Sequence, residues 1–167
     1  MRLLIKLSQC ITLACILFLN QSYADKNNFP QPANLYLTSE DARSQNIPIM
    51  LLFSSTYCDY CKFIKEEFLN PMIKSGDYTN KVIIRVVEDD EGDEVIDFNG
   101  ELIDSGGFSD RYNIVFTPTI VFIDSDGVEV TERIVGLGNV EYFGGFLDEA
   151  IDEAQITINS IVVGLTE

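Results

Sequence analysis

The segment LLFSSTYCDYCK, Leu51–Lys62, is an apolar run that ends in two serines and then places Cys58 and Cys61 with only Asp59 and Tyr60 between them. A continuous apolar stretch of this length, starting at Ile49 behind Pro48, reads as a strand buried on both faces. The residues that follow, KFIKEEFL, set Phe63, Ile64 and Phe68 at helical spacing, so the strand turns sharply into an amphipathic helix. Cys58 then lies at the helix start, where free N–H groups and the helix dipole stabilise a thiolate. Cys61 lies one turn further in and is shielded. In that arrangement Cys58 attacks a disulfide and Cys61 resolves the mixed disulfide.

Other uses of a cysteine pair have to be weighed against this one. A closed zinc site needs four ligands, and the chain has no His to complete one, so no metal is assigned. Two thiolates are able to hold Cu(I), which leaves a non-catalytic module binding Cu(I) or a client protein as the alternative. Met72 is too far along the helix to support that site. A staple across so short a loop removes little entropy from the unfolded chain.

Working outward, TSEDARSQN (Thr38–Asn46) starts a helix, with Thr38 or Ser39 as cap and Glu40 and Asp41 in the first turn. Asn70-Pro71 interrupts the cysteine helix, and KVIIRVV (Lys81–Val87) is the next strand. Between Glu88 and Asp104 acidic residues accumulate with no Lys or Arg, which reads as a solvated insertion over 88–107 containing a hairpin turn at Asn99-Gly100. It lacks the spaced carboxylates of a calcium loop. FSDRYN forms a helical turn that Asn113 closes in the left-handed conformation. TPTIVFID (Thr117–Asp124) is a strand, Ser125–Gly127 a tight turn, and VEVTERIVG the antiparallel return. The final helix, Val140–Ala154, points Phe143, Phe146, Leu147 and Ile151 inward. The apolar tail 156–167 has no readable structure. A crossover helix between apolar strands, followed by a hairpin, gives an α/β architecture with a mixed central β-sheet and helices on both faces.

With these segments in place the chain resembles the thioredoxin superfamily, in its exported bacterial thioredoxin-related branch. The resemblance covers residues 35–154 and rests on LLFSSTYCDYCK, on YNIVFTPTIVFIDSDG and on IVGLG followed by the last helix. It implies a thioredoxin-like fold over 38–155, thiol–disulfide exchange through Cys58 and Cys61, and no cofactor beyond that redox-active disulfide. It also implies a cis proline at Pro118 facing the cysteines, with Thr117 free to pair with an extended substrate. Tyr57 stands where thioredoxin has Trp and is expected to form an apolar lip; Tyr60 is expected at the substrate surface. Leu52 stands where thioredoxin has a buried Asp. Arg85 lies near a thioredoxin Lys and is expected to pair with the acidic segment, with support of a thiolate as the alternative. Asp59 opposes a second negative charge at Cys58, which weakens the oxidising power of the pair.

Residues 1–24 carry Arg2 and Lys6, an apolar run from Ile11 to Leu19 and small residues at Ser22 and Ala24. That is the pattern of a secretory signal peptide, short for spanning a bilayer, with cleavage before Asp25 and an extended leader over 25–37. An uncleaved N-terminal anchor is the alternative, and a lipoprotein through Cys15 is disfavoured because the apolar run continues past it. A periplasmic or secreted location follows. Cleavage removes two cations and no acid, moving the net charge from −16 to −18, which disfavours nucleic acid and anionic lipid. It also removes Cys10 and Cys15, leaving one cysteine pair. The expected partners are extracytoplasmic proteins with disulfides and a membrane-bound thiol reductase as electron donor. Nothing before residue 35 is long enough for a dimerisation domain, so a monomer is expected.

Overall fold

The computed structural model describes Phe29, residues 33–90 and residues 92–164. The expected signal segment and most of the leader lie outside the described residues. The chain runs β1 (Ala33–Asn34), α1 (Leu35–Gln45), β2 (Ile49–Ser54), α2 (Asp59–Ile64), a π-helical turn (Lys65–Leu69), α3 (Asn70–Ser75), β3 (Ile83–Glu88), β4 (Glu94–Ile96), β5 (Leu102–Asp104), α4 (Ser105–Arg111), β6 (Thr119–Ile123), β7 (Ile134–Val135) and α5 (Val140–Gly164). No helix among the described residues is long and apolar enough to cross a membrane.

β2 is central, and all six of its residues are buried. It pairs parallel with β3 and antiparallel with β6, in the sheet order β3-β2-β6-β7. Alternate residues of β2 feed two separate apolar clusters. Met50 and Leu52 pack with Ile64, Leu69, Phe143 and Leu147, from the helices on one face. Leu51 and Phe53 pack with Leu35, Ala42, Phe108 and Tyr112, from α1, α4 and its C-cap on the other. A strand covered on both faces needs no polar alternation, which is why β2 reads as an unbroken apolar run. Each such side chain contributes about 1.5–3 kcal/mol by leaving water.

Several expectations are corrected. The extended leader does not reach Leu37: Ala33–Asn34 form β1 and α1 begins at Leu35. Its cap is Asn34, whose Oδ1 accepts from the Leu37 N–H at 3.0 Å, while Thr38 and Ser39 are buried inside the helix. Asn70-Pro71 does not break the cysteine helix. The π turn intervenes, with the Asn70 N–H bonded to the Lys65 carbonyl, and Pro71 follows in the first turn of α3. The wider turn accommodates a ring that would otherwise clash with the preceding turn.

The acidic stretch is not a plain solvated insertion. It holds a hairpin of β4 and β5 whose first strand pairs parallel with β1, making a second, three-stranded sheet. Phe98 and Ile103 pack from it against the α1 and α4 cluster. The tail is not separate either: α5 runs to Gly164, with Ile158 buried. Phe146 points outward, 57% exposed, because it falls off the stripe formed by Phe143, Leu147, Ile151 and Ala154. The return after Ser125–Gly127 touches the sheet at Glu129 and then leaves it until β7.

Candidate active site

β2 ends at Ser54, and the chain turns through Ser55, Thr56 and Tyr57 before α2 begins at Asp59. Cys58 is the N-cap of α2, with φ −100° and ψ 102°, and its Sγ accepts from the Cys61 N–H at 3.0 Å. Its own N–H donates to the Ser55 carbonyl at 3.2 Å, and its carbonyl accepts from Lys62 at 3.1 Å. Cys58 is half-buried, Cys61 is fully buried, and the two form a disulfide with Cα atoms 5.2 Å apart. The outer sulfur therefore occupies the position that an oxygen takes in an ordinary N-cap, with an orphan helix N–H aimed at it. On reduction the same N–H and the helix dipole favour the thiolate of Cys58 over that of the enclosed Cys61.

Pro118 comes to the same end of the sheet through strand register. Thr119 of β6 pairs with Phe53 of β2, so the preceding residue lies across from Ser54, where the cysteine turn starts. The Thr117–Pro118 peptide is cis, and Pro118 is buried. Its carbonyl accepts from Gly136 at 2.8 Å, whereas Thr117 has no hydrogen-bond partner among the described residues. Around these residues the surface is apolar and open. Tyr57 is 93% exposed, Tyr60 64%, and Val115 and Phe116, just before Thr117, are 77% and 68% exposed. Asp59 is the exposed first residue of α2 and has no ion-pair partner among the described residues.

Charged groups missing from the sequence-based picture also converge here. Leu52 lies in the apolar core, and the carboxylates at this end of the sheet come instead from the end of β3 and the residues just after it. Glu88, paired in register with Ser54, bonds Lys65 Nζ at 2.8 Å, and both side chains are largely buried. Glu88 Oε2 and Ser54 Oγ are buried without a partner among the described residues. Asp90 accepts from Ser55 Oγ at 2.6 Å, from the Thr56 N–H at 2.6 Å and from Thr56 Oγ1. Burial works to raise its pKa, but the Ser55 and Thr56 hydroxyls, the Thr56 N–H and the Lys65 charge hold it below the usual carboxylate range. The one available sequence signal was position: Glu88 and Asp90 follow the strand that must lie beside β2. The surrounding run of acids concealed it.

Arg85 is a correction. It does not pair with the acidic segment; its Nε donates to Thr38 Oγ1 at 2.8 Å and its Nη1 to the Ile84 carbonyl at 2.9 Å. It faces α1 because it pairs with Leu51, one step out of phase with Leu52. Burial pushes its pKa down. Among the described residues no three His, Cys, Asp or Glu side chains are grouped to hold a metal ion.

Residues 36–151 match a family described as a thioredoxin-like domain. No curated protein matches the sequence. Among solved structures, thioredoxin O2 from Arabidopsis thaliana in the oxidised state is 21% identical, with 75% of this chain and 96% of that chain covered and a TM-score of 0.48. A thioredoxin-fold protein from Helicobacter pylori is 19% identical over 75% of this chain and 95% of that chain, with a TM-score of 0.45. Thioredoxin f from spinach chloroplast is 14% identical over 70% and 84%, with a TM-score of 0.47.

Proposed function

The chain belongs to the thioredoxin-like domain family, and from that premise we propose that it is an exported thiol–disulfide oxidoreductase that reduces disulfides of extracytoplasmic proteins. The observation that carries this reading is the asymmetry of the pair: Cys58 is half-exposed on a helix N-cap and bonded to a Cys61 that solvent does not reach. The Cys58 thiolate attacks one sulfur of a client disulfide, forms a mixed disulfide and expels the other sulfur, which takes a proton. Cys61, deprotonated as it attacks, displaces the second client sulfur from Cys58, which leaves as a thiolate and takes up that proton, and the Cys58–Cys61 bond is regenerated. Two electrons pass to the client. A membrane-bound thiol reductase returns them, a donor suggested by a sequence with no flavin or nicotinamide motif.

Tyr57, Tyr60, Val115 and Phe116 supply apolar contact for an unfolded or extended client. Thr117, whose backbone is unpaired among the described residues, is placed to bond the client main chain beside the cysteines. Specificity then rests on main-chain pairing and apolar contact, with a bias against acidic clients from a net charge of −16, or −18 without residues 1–24. The protein works as a monomer.

Reduced protein with Cys61→Ala, incubated with oxidised insulin or with a periplasmic extract, should accumulate covalent complexes that dithiothreitol releases. Cys58→Ala should form none. Complexes that survive loss of Cys58 but not loss of Cys61 would reverse the two roles. Their absence in both variants, with stoichiometric Cu(I) retained by the wild type, would replace the enzyme with a copper-binding module.

A further inference from the structure

The turn that presents Cys58 is tied to a side chain that the exchange chemistry does not use. Asp90 stands two residues beyond β3, yet its carboxylate takes both hydroxyls and one N–H of Ser55 and Thr56. The backbone is linked in parallel: the Asp89 N–H donates to the Ser54 carbonyl at 2.8 Å. The constraint passes on to the cysteine, because the Ser55 carbonyl accepts the Cys58 N–H at 3.2 Å and Ser55 Oγ accepts the Tyr57 N–H at 3.3 Å. Without Asp90 these turn donors would be satisfied by water, and a solvated turn samples many orientations.

We propose that Asp90 is the positioning residue of the cysteine turn, holding Ser55 and Thr56 so that Cys58 Sγ stays on the N-cap of α2. The inference rests on Cys58 being the attacking thiol. It does not make Asp90 a proton carrier, since the carboxylate bonds the turn and not the sulfur.

A carboxylate beside a nucleophilic thiol has two effects of opposite sign. Its charge disfavours the thiolate, whereas its three bonds keep the sulfur where the helix N-terminus stabilises the thiolate. Two conservative substitutions separate them. Asp90→Asn removes the charge and keeps the geometry: Oδ1 accepts from the Thr56 N–H and hydroxyl, and Nδ2 donates to Ser55 Oγ. Asp90→Glu keeps the charge and displaces the oxygens by one methylene.

The test is the rate at which iodoacetamide modifies Cys58 in the reduced protein across pH 5–9, resolved from Cys61 by peptide mass spectrometry, with thermal melts confirming that each variant is folded. Asp90→Glu should slow modification at pH 7 about tenfold and move the pH profile upward. Tenfold corresponds to about 1.4 kcal/mol, the size of one lost N-cap interaction. Asp90→Asn should remain within about twofold of the wild type. A wild-type rate in Asp90→Glu combined with acceleration in Asp90→Asn would show that Asp90 acts through its charge and overturn the proposal, as would equal rates in all three proteins. Because the readout is thiol reactivity, a wild type that fails to reduce insulin would refute the oxidoreductase reading separately, leaving the alkylation result to judge Asp90.

Discussion

Gly127→Ala is expected to unfold the protein at markedly lower temperature without disturbing its thiol chemistry. Gly127 closes the turn after β6 with φ +81°, a region that costs an L-residue with a Cβ roughly 1–2 kcal/mol. A Cβ there would also meet the Phe98 ring at 2.9 and 3.0 Å and Tyr112 Oη at 3.1 Å. Neither neighbour is free to yield. Tyr112 Oη donates to the Gly127 carbonyl at 2.9 Å; its ring packs at a tilt against Phe53 and Phe108, and the Phe98 ring at a tilt against Phe108. Displacing the hydroxyl costs about 1 kcal/mol, and repacking about 1–3 kcal/mol more. The total, about 3–6 kcal/mol, lowers the melting temperature by at least 10 °C in a domain of this size. Far-UV circular dichroism melts of the oxidised protein would measure it. Gly127→Asn tolerates the positive φ but keeps the contact, so it should recover only part of the loss. Since Gly127 follows the C-terminal end of β6 and the cysteines adjoin its N-terminal end, insulin reduction at 25 °C should be unchanged. A drop below about 3 °C, or a drop fully restored by Asn, would refute the contact argument.

Two further outcomes follow from the charged residues. Asp97 is buried in the β4–β5 turn; burial raises its pKa, but the N–H groups of Asn99 and Glu101 and the Arg111 guanidinium outweigh burial and hold it below the usual carboxylate range. A depressed native pKa adds stability that is complete above the unfolded value of about 4 and is lost as pH falls through the native one, so Asp97→Asn should flatten the acid limb of melting temperature against pH; an unchanged slope between pH 5 and 2.5 would count against it. Asp59 stands exposed beside Cys58 with no His in the chain to favour its thiolate, so equilibration with glutathione should give a reduction potential below about −200 mV, and Asp59→His should raise it. A wild-type value near −120 mV would make the protein an oxidant.

Much of the core was legible because its signals are local. The apolar run of β2, the helical spacing after Cys61, the Ser125–Gly127 turn and the left-handed Asn113 each depend on a few neighbouring residues. The errors fell where a choice depended on distant partners. Thr38 and Ser39 look like caps, yet α1 starts three residues earlier and buries them. Phe146 is apolar and near the stripe of α5, but it lies off that stripe, and nothing among the described residues covers it. Arg85 was assigned to the acids nearest in sequence, whereas the strand phase turns it toward Thr38.

By itself, then, the sequence determined the cysteine pair and the strand–turn–helix that displays it, since Cys58 to Cys61 spans a single helical turn and its geometry is set by residues within reach of one another. It also determined that the chain is strongly acidic. What the acids do was decided only by the tertiary structure. Asp90 reaches Ser55 across 35 positions of chain, and Lys65 reaches Glu88 across 23. Those contacts exist because β3 lies parallel beside β2 and its end overhangs the cysteine turn. A run of carboxylates looks the same in sequence whether it faces water or a turn. Strand pairing distinguishes the two, because it alone brings a hydrogen-bond donor within 3 Å of one particular oxygen.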